Sequence, residues 1–246
     1  MKKIALLEIS GNLSYENGSI ALLESFIAGE DAASVDGMIL WINSGGGSFS
    51  CVQDIYASLQ RLPMIKIAVA AELCASAAYY LALAAHHIVA QPTSLVGGLC
   101  ACLEVANYSR LHEKLGVSRT IHANGKLKGM LTPYGKEMAD GEEAAIQDLL
   151  SDMDEHFQSV ILERRPTLKR DSAYADGRLL SGARAQRMGL VDDLGGVFEA
   201  SRIMAKMLGI GPDMLELISV SADEQDGAAE PKSDNMVAAL LAALHL

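Results

Sequence analysis

Ile65-Lys-Ile-Ala-Val-Ala-Ala-Glu-Leu-Cys-Ala-Ser-Ala-Ala-Tyr-Tyr80 is the stretch on which the fold turns. Residues 65–70 form an apolar run of strand length with β-branched members, and they lead into Glu72-Leu-Cys-Ala-Ser76 where a small-residue helix can start. Ser76 therefore falls near a helix N-terminus, where unpaired N–H groups and the positive dipole end favour developing negative charge. Upstream, the apolar run Met38-Ile-Leu-Trp-Ile42 is followed by Gly45-Gly46-Gly47, the mark of a strand ending in a loop whose amides can turn toward a ligand. The Ala77 amide and one amide of the glycine loop would then make a two-donor oxyanion hole, in which one donor is typically worth about 100- to 1000-fold in rate. A serine among alanines is by itself ordinary helix packing, and glycine-rich turns are common. The order of strand, glycine loop, strand and serine-bearing small-residue helix is the specific feature.

Lys128 follows Ser76 by 52 positions and offers a base for a serine nucleophile. A free lysine, with a pKa of about 10.4, is protonated at neutral pH and cannot accept the serine proton. To act near pH 7 to 8 its ammonium must be destabilised by about 4 kcal/mol, which burial can supply. Leu127, Gly129, Met130 and Leu131 fit an apolar setting, and Lys126 and Lys136 are the rival lysines. A Ser-His-Asp triad is the competing chemistry. His86 and His87 lie ten and eleven residues beyond Ser76. If they end the same helix, they stand about 15 Å away at 1.5 Å per residue. His122 is near the Lys128 segment and stays as a minor alternative, whereas His156 and His245 read as solvated or structural.

Further motifs extend the pattern: Asn43-Ser-Gly-Gly-Gly47, Cys74-Ala-Ser-Ala-Ala-Tyr-Tyr80, Asn107-Tyr-Ser-Arg-Leu111 with Lys114-Leu-Gly116, Gly125-Lys-Leu-Lys128, and Asp176-Gly-Arg178 through Gly189-Leu-Val-Asp-Asp-Leu-Gly195. Over residues 3 to 205 the chain resembles the signal peptide peptidase A family of serine peptidases, which includes phage enzymes that process capsid scaffolds. The resemblance implies an α/β crotonase/Clp-protease-like fold of repeated ββα units with a helical C-terminal part. It implies a Ser–Lys dyad with Ser76 as nucleophile and Lys128 as general base, Gly47 and the Ala77 amide as the oxyanion hole, and Gly45, Gly46 and Gly98 as backbone along the bound peptide. The family usually has proline at the position of Gly45, Gly-Gly at Ala77-Ala78, and at Gly98 a serine that orients the lysine. Ser94, Thr93 or water would have to supply that support here.

The implied activity is hydrolysis of signal-peptide-like or unfolded segments with small or apolar residues near the cut, with maturation of a phage prohead scaffold as an alternative. A crotonase-like acyl-CoA enzyme is the alternative from another class, since fold alone does not decide chemistry. Glu72 and Glu104 are the only carboxylates near the site in sequence and make a poor acid pair for it. A catalytically silent scaffold relative is the third.

The chain has 246 residues, half of them apolar, which suffices for one well-packed core. A formal net charge of −11 without a basic stretch argues against nucleic acid as a partner. Cys51, Cys74, Cys100 and Cys102 lack zinc spacing, and Cys100-x-Cys102 on a strand would be core filling in a reduced protein. No ligand cluster or phosphate loop implies a metal or organic cofactor. The N-terminal apolar stretch is broken by Glu8, too early for a signal or a membrane span, so a cytoplasmic protein is expected.

Strands are expected near 3–9, 38–43, 65–70, 87–91, 95–103 and 117–122, and helices near 18–28, 49–61, 75–85 and 107–115. A long amphipathic helix is expected over 141–163, of a kind that can build subunit contacts in a homo-oligomer, and a short glycine-ended helix over 181–189. The peptidase core is taken as 1–220, followed by an acidic flexible linker over 221–235. The apolar tail helix 236–246 is too short to cross a bilayer. Its Ala/Leu composition resembles the apolar part of a signal peptide and would suit an active-site groove.

Overall fold

The computed structural model describes residues 1–133, 140–168 and 173–220. The linker, the tail and the rival Lys136 therefore lie outside the described residues. In chain order the elements are β1 (Lys2–Leu13), α1 (Gly18–Ala28), β2 (Gly37–Gly47), α2 (Phe49–Arg61), β3 (Ile65–Ala75), α3 (Ala77–Ala82), β4 (His87–Ala90), β5 (Leu95–Gly97), α4 (Ser109–Lys114), α5 (Asp140–Arg164), β6 (Leu179–Ser181), α6 (Gly182–Met188), β7 (Asp193–Leu194), α7 (Val197–Leu208) and β8 (Leu215–Val220). They divide into two compact units, Met1–Leu99 with Val160–Leu246, and Cys100–Ser159.

The first unit is built on a sheet of order β6-β5-β3-β2-β1-β8, with β4 beside β3 and β7 beside β4. All pairings are parallel except β5 with β6. Parallel strands joined by crossover helices are covered on both faces, so their sequences are continuous apolar runs, as residues 38–42 are. On one face Ile4, Leu6, Ile39, Trp41, Ile67, Val69 and Val89 pack with Val197, Ala200, Ile203 and Met204 of α7. Elsewhere α2 and α3 meet through aromatic rings, with Tyr80 at 4.9 Å from both Phe49 and Tyr56.

Local chemistry sets the helix ends. Asn17 Oδ1 accepts from the amides of Ser19 and Ile20 to start α1, and Ser48 Oγ accepts from Cys51 N to start α2. Gly189, at φ 88°, closes α6. β3 serves two neighbours in turn, pairing with β4 over residues 67–70 and with β5 over residues 73–75. Where it changes partner, the buried Ser94 hydroxyl serves the carbonyls of Ala70, at 3.0 Å, and Ala71.

Several expected elements differ. β5 ends at Gly97 rather than 103, because Gly97 and Gly98 both take positive φ and turn the chain away. Cys100 and Cys102 are consequently not on a strand, and Cys102 is exposed. Residues 117–122 form no strand and are exposed throughout. α3 is only six residues long, so His86 and His87 do not belong to it, and His87 opens β4. α7 and β8 are elements that the motifs do not reach, although the apolar residues at 197, 200, 203 and 204 trace a helical face.

Candidate active site

The glycine loop and the serine meet within the first unit. β2 slips register against β3 between Ile42 and Ser44, and the slip is stitched by side chains. Asn43 Oδ1 accepts from Leu73 N at 3.1 Å. Ser44, 2% exposed, donates to Gly11 O at 2.6 Å and accepts from Gly46 N at 3.0 Å. This fixes Gly46 at φ 109°, where a Cβ would stand 2.9 Å from Ser76 Cβ and 3.0 Å from Ala77 N. Only glycine tolerates that backbone and that approach. Gly47 is pressed against β1, with a Cβ position 2.1 Å from Leu13 O, while Gly45 is open apart from Leu73 at 3.5 Å.

Ser76 sits at the junction of β3 and α3 with φ 53° and ψ −127°, and it is the single non-glycine residue with positive φ among the described residues. Such a conformation in an L-residue costs about 1–3 kcal/mol and persists only where its surroundings enforce it. Here they do. Ser76 N donates to Gly97 O at 2.8 Å, its carbonyl accepts from Tyr79 N and Tyr80 N, and Gly46 closes over its Cβ. Gly98 lies on the remaining side, its Cβ position 3.5 Å from Ser76 N. The Ser76 hydroxyl makes no cap hydrogen bond to the helix, and the residue is half-buried. Ala77, as the first residue of α3, has an amide that helix geometry leaves unpaired.

Beneath this junction α3 is anchored by its own buried residues. Tyr79 donates to Leu190 O at 2.7 Å, and burial pushes its phenol pKa up, so it remains a neutral donor. Arg165, mostly buried, pairs with Asp192 at 2.7 Å, and Asp192 also accepts from Ile88 N. Arg164 donates to Leu83 O and Ala85 O after the C-terminal end of α3. Cys74, two residues before Ser76, is fully buried, and desolvation pushes its thiol up to about 12, which removes it as a competing nucleophile.

Lys128 belongs to the second unit, in a turn where its amide donates to Gly125 O at 3.2 Å. The expected apolar enclosure is absent there. Residues 121–128 are exposed throughout, including Lys126 and Lys128, because this segment is a run of turns with no regular element of its own to pack it. The alternative bases fare differently. His86 Nδ1 accepts from Lys66 N and His87 Nε2 pairs with Asp193, both at the sheet, while His122 and His156 are exposed. Ser94 Oγ serves the carbonyls of Ala70 and Ala71 on β3 and accepts from Gln91 N. Thr93 is exposed. Among the described residues no cluster of three or more acidic, histidine or cysteine side chains is arranged to hold a metal, and no helix is long and apolar enough to cross a membrane.

Residues 62–211 match the profile of peptidase family S49. The chain belongs to peptidase family S49. A protease candidate of Synechocystis sp. is 30% identical over 223 residues, which span 89% of this chain and 79% of that protein. The chloroplastic serine protease SPPA of Arabidopsis thaliana is 24% identical over 85% of this chain and 33% of its own length. A signal peptide peptidase SppA candidate of Enterococcus faecium is 30% identical over 68% of this chain and 49% of its own length. The chain thus spans about four fifths of the first of these S49 relatives and half or less of the other two. Among solved structures, a serine-to-alanine mutant of a membrane-bound stomatin-specific protease superposes with a TM-score of 0.59 at 14% identity, covering 90% of this chain and 99% of that one. A lysine-to-alanine mutant of the same protease, in complex with a substrate peptide, gives a TM-score of 0.56 at 14% identity over the whole of this chain and 99% of that one. At that identity the likeness establishes the fold, which is the expected α/β crotonase and Clp-protease class.

Proposed function

We propose that this S49 protein is a serine endopeptidase in which Ser76 is the nucleophile, Lys128 the general base, and the amides of Gly47 and Ala77 the oxyanion hole. The observation that carries the reading is Ser76 itself, a strained residue at a strand-to-helix turn with a glycine loop closed over its Cβ. A packing serine has no reason to hold φ 53°, whereas a nucleophile gains a fixed, uncapped hydroxyl. The stomatin-specific protease whose fold the chain shares has been studied as single mutants of a serine and of a lysine, which supports a dyad of those two residue types.

In the reaction Ser76 Oγ attacks the scissile carbonyl, Lys128 Nζ takes the hydroxyl proton and returns it to the leaving amine, and water activated by Lys128 then hydrolyses the ester. Small side chains around Ser76, chiefly Ala75, Ala77 and Gly98, favour extended peptides with small or apolar residues at the cut, as in signal-peptide-like or unfolded segments. The exposed position of Lys128 requires that the working enzyme desolvate it. Exposed Leu111, Leu115, Val117, Ile121, Leu127 and Leu131 of the second unit make a homo-oligomer the natural source of that cover. Residues 125–128 fall inside the family match, which favours peptide hydrolysis over acyl-CoA chemistry.

Cleavage of a signal-peptide-like substrate by wild type and Lys128→Ala across pH 6 to 10, at protein concentrations that span assembly, tests the base. The expected result is a rate that rises with an apparent pKa well below about 10.4 and is lost in Lys128→Ala. A Lys128→Ala rate equal to wild type would transfer the role to another group.

A further inference from the structure

Outside the Ser76 junction, the first unit holds a cavity of about 440 Å³ along β2 and β3 and just past the C-terminal end of β4, on the face covered by α7. That volume is within the range of small-molecule sites, and the end of parallel strands is where α/β sheets commonly bind ligands. Trp41 lines it, is 8% exposed, and its indole N–H has no acceptor among the described residues. α7 begins at the cavity edge with Gly196 as its cap, so no side chain caps the helix. The first amides of α7, at Val197 and Phe198, likewise meet no acceptor among the described residues. The acid of its first turn, Glu199, is taken up by Arg202. The lining thus includes the Trp41 indole and the Gly196-Val197 start of α7, donors that suit an anion.

The remaining lining has a different character. Glu72 supplies a carboxylate with no partner among the described residues, Val69 and Val197 supply apolar walls, and the Gln91 amide lies beside Gly196. A small anion alone would leave Glu72 and the apolar walls unused, and a cation alone would face the helix N-terminus.

We infer that this cavity binds a small α-zwitterion, a free amino acid or a short peptide with both ends free, with its carboxylate on the α7 amides and Trp41 N–H, its ammonium on Glu72 and its side chain against Val69 and Val197. Such molecules are what exhaustive peptide hydrolysis releases. The site lies on β3 at Ala70 to Glu72, a few residues before Ser76, so an occupant would touch the strand that presents the serine. The binding inference itself stands apart from the catalytic reading.

Trp41 is the only tryptophan of the chain, which makes its emission a local reporter. The full chain carrying Ser76→Ala is titrated with L-leucine and with leucyl-leucine, read by Trp41 emission and by the thermal unfolding midpoint, with leucinamide and N-acetyl-leucine as probes lacking one charged end. Saturable binding of L-leucine or leucyl-leucine is expected, about tenfold or more weakened for either blocked probe, one lost charged hydrogen bond being worth roughly that factor. Glu72→Gln should level the difference between leucine and N-acetyl-leucine. Gly196→Asp, whose side chain caps α7 itself, should abolish binding while leaving the protein folded. No saturation with either unblocked ligand, or leucinamide and N-acetyl-leucine binding as tightly as leucine, overturns the inference. Because the test uses a Ser76→Ala protein and no turnover, its failure is separate from failure of the peptidase reading.

Discussion

Ser76 and Lys128 stand in contrasting surroundings. Around Ser76 every neighbour is committed: Gly46 closes over its Cβ, Gly97 O receives its amide, and α3 below it is buried along its whole length. Around Lys128 the chain from 121 to 128 is exposed, and its hydrogen bonds are those of local turns. The geometry of Ser76 is thus a product of the parallel sheet and its crossover helices, and it comes with the fold. A buried environment for Lys128 is not supplied by the segment that carries it, so the two proposed partners should respond differently to mutation and to assembly.

The largest separation is expected between glycines. Gly46→Ala forces a Cβ to 2.9 Å from Ser76 Cβ at φ 109°, so peptide cleavage should fall about a hundredfold, with stability lower by about 1–3 kcal/mol. Gly129→Ala in the second unit meets the end of the Ile121 side chain at 3.1 Å and Thr132 at an ordinary 3.9 Å, and should change stability by less than about 0.5 kcal/mol. Urea unfolding and substrate kinetics on both variants check the contrast. Equal effects would mean that the glycine loop is no more constrained than the lysine segment.

The next effect concerns the strand that presents Ser76. Ser94→Ala removes the hydroxyl that serves the carbonyls of Ala70 and Ala71 and should cost about 1–3 kcal/mol in a denaturant titration. Tyr79→Phe, which breaks the bond to Leu190 O beneath α3, should cost about 1 kcal/mol and lower the turnover rate more than the Michaelis constant. A Tyr79→Phe enzyme with full stability and rate would show that the anchoring of α3 does not position Ser76.

Smaller again is the difference between thiols. Cys74, with its pKa pushed up to about 12 by burial, should resist alkylation in the native protein, whereas exposed Cys102 should react first. Mass spectrometry of peptides after brief iodoacetamide treatment distinguishes them. The smallest effect is on pH. Burial, with the charges of Lys66 and Arg164, lowers the His86 pKa, so the folded state binds its proton less readily than the unfolded chain. That contribution is complete above about 6.5 and is lost as pH falls through the folded value, so the melting midpoint should decline slightly on acidification and decline less in His86→Gln.

Much of the first unit was legible in the sequence because its strands are continuous apolar runs and its breaks are glycines with an enforced conformation. The strand, glycine-loop, strand and serine-helix order of residues 38–82 follows from that pattern. What was not legible depends on contacts distant in sequence. Residues 98–103 read as strand by composition, but Gly97 and Gly98 turn the chain, and Val117 and Ile121 alternate as in a strand without a partner to pair with. The role of Ser94 at β3 depends on the split pairing of that strand, which places two carbonyls in its reach. The proposed role of Lys128 calls for burial, but nothing in its local sequence determines what covers it.

Whether the fold presents Ser76 as a nucleophile is decided by trapping. Wild type and Ser76→Ala are mixed with an activated ester of a signal-peptide-like peptide, quenched in acid, and digested for mass spectrometry. The expected result is an acyl group on the peptide containing Ser76 in wild type and none in the variant. Acylation elsewhere, or hydrolysis undiminished in Ser76→Ala, would contradict it.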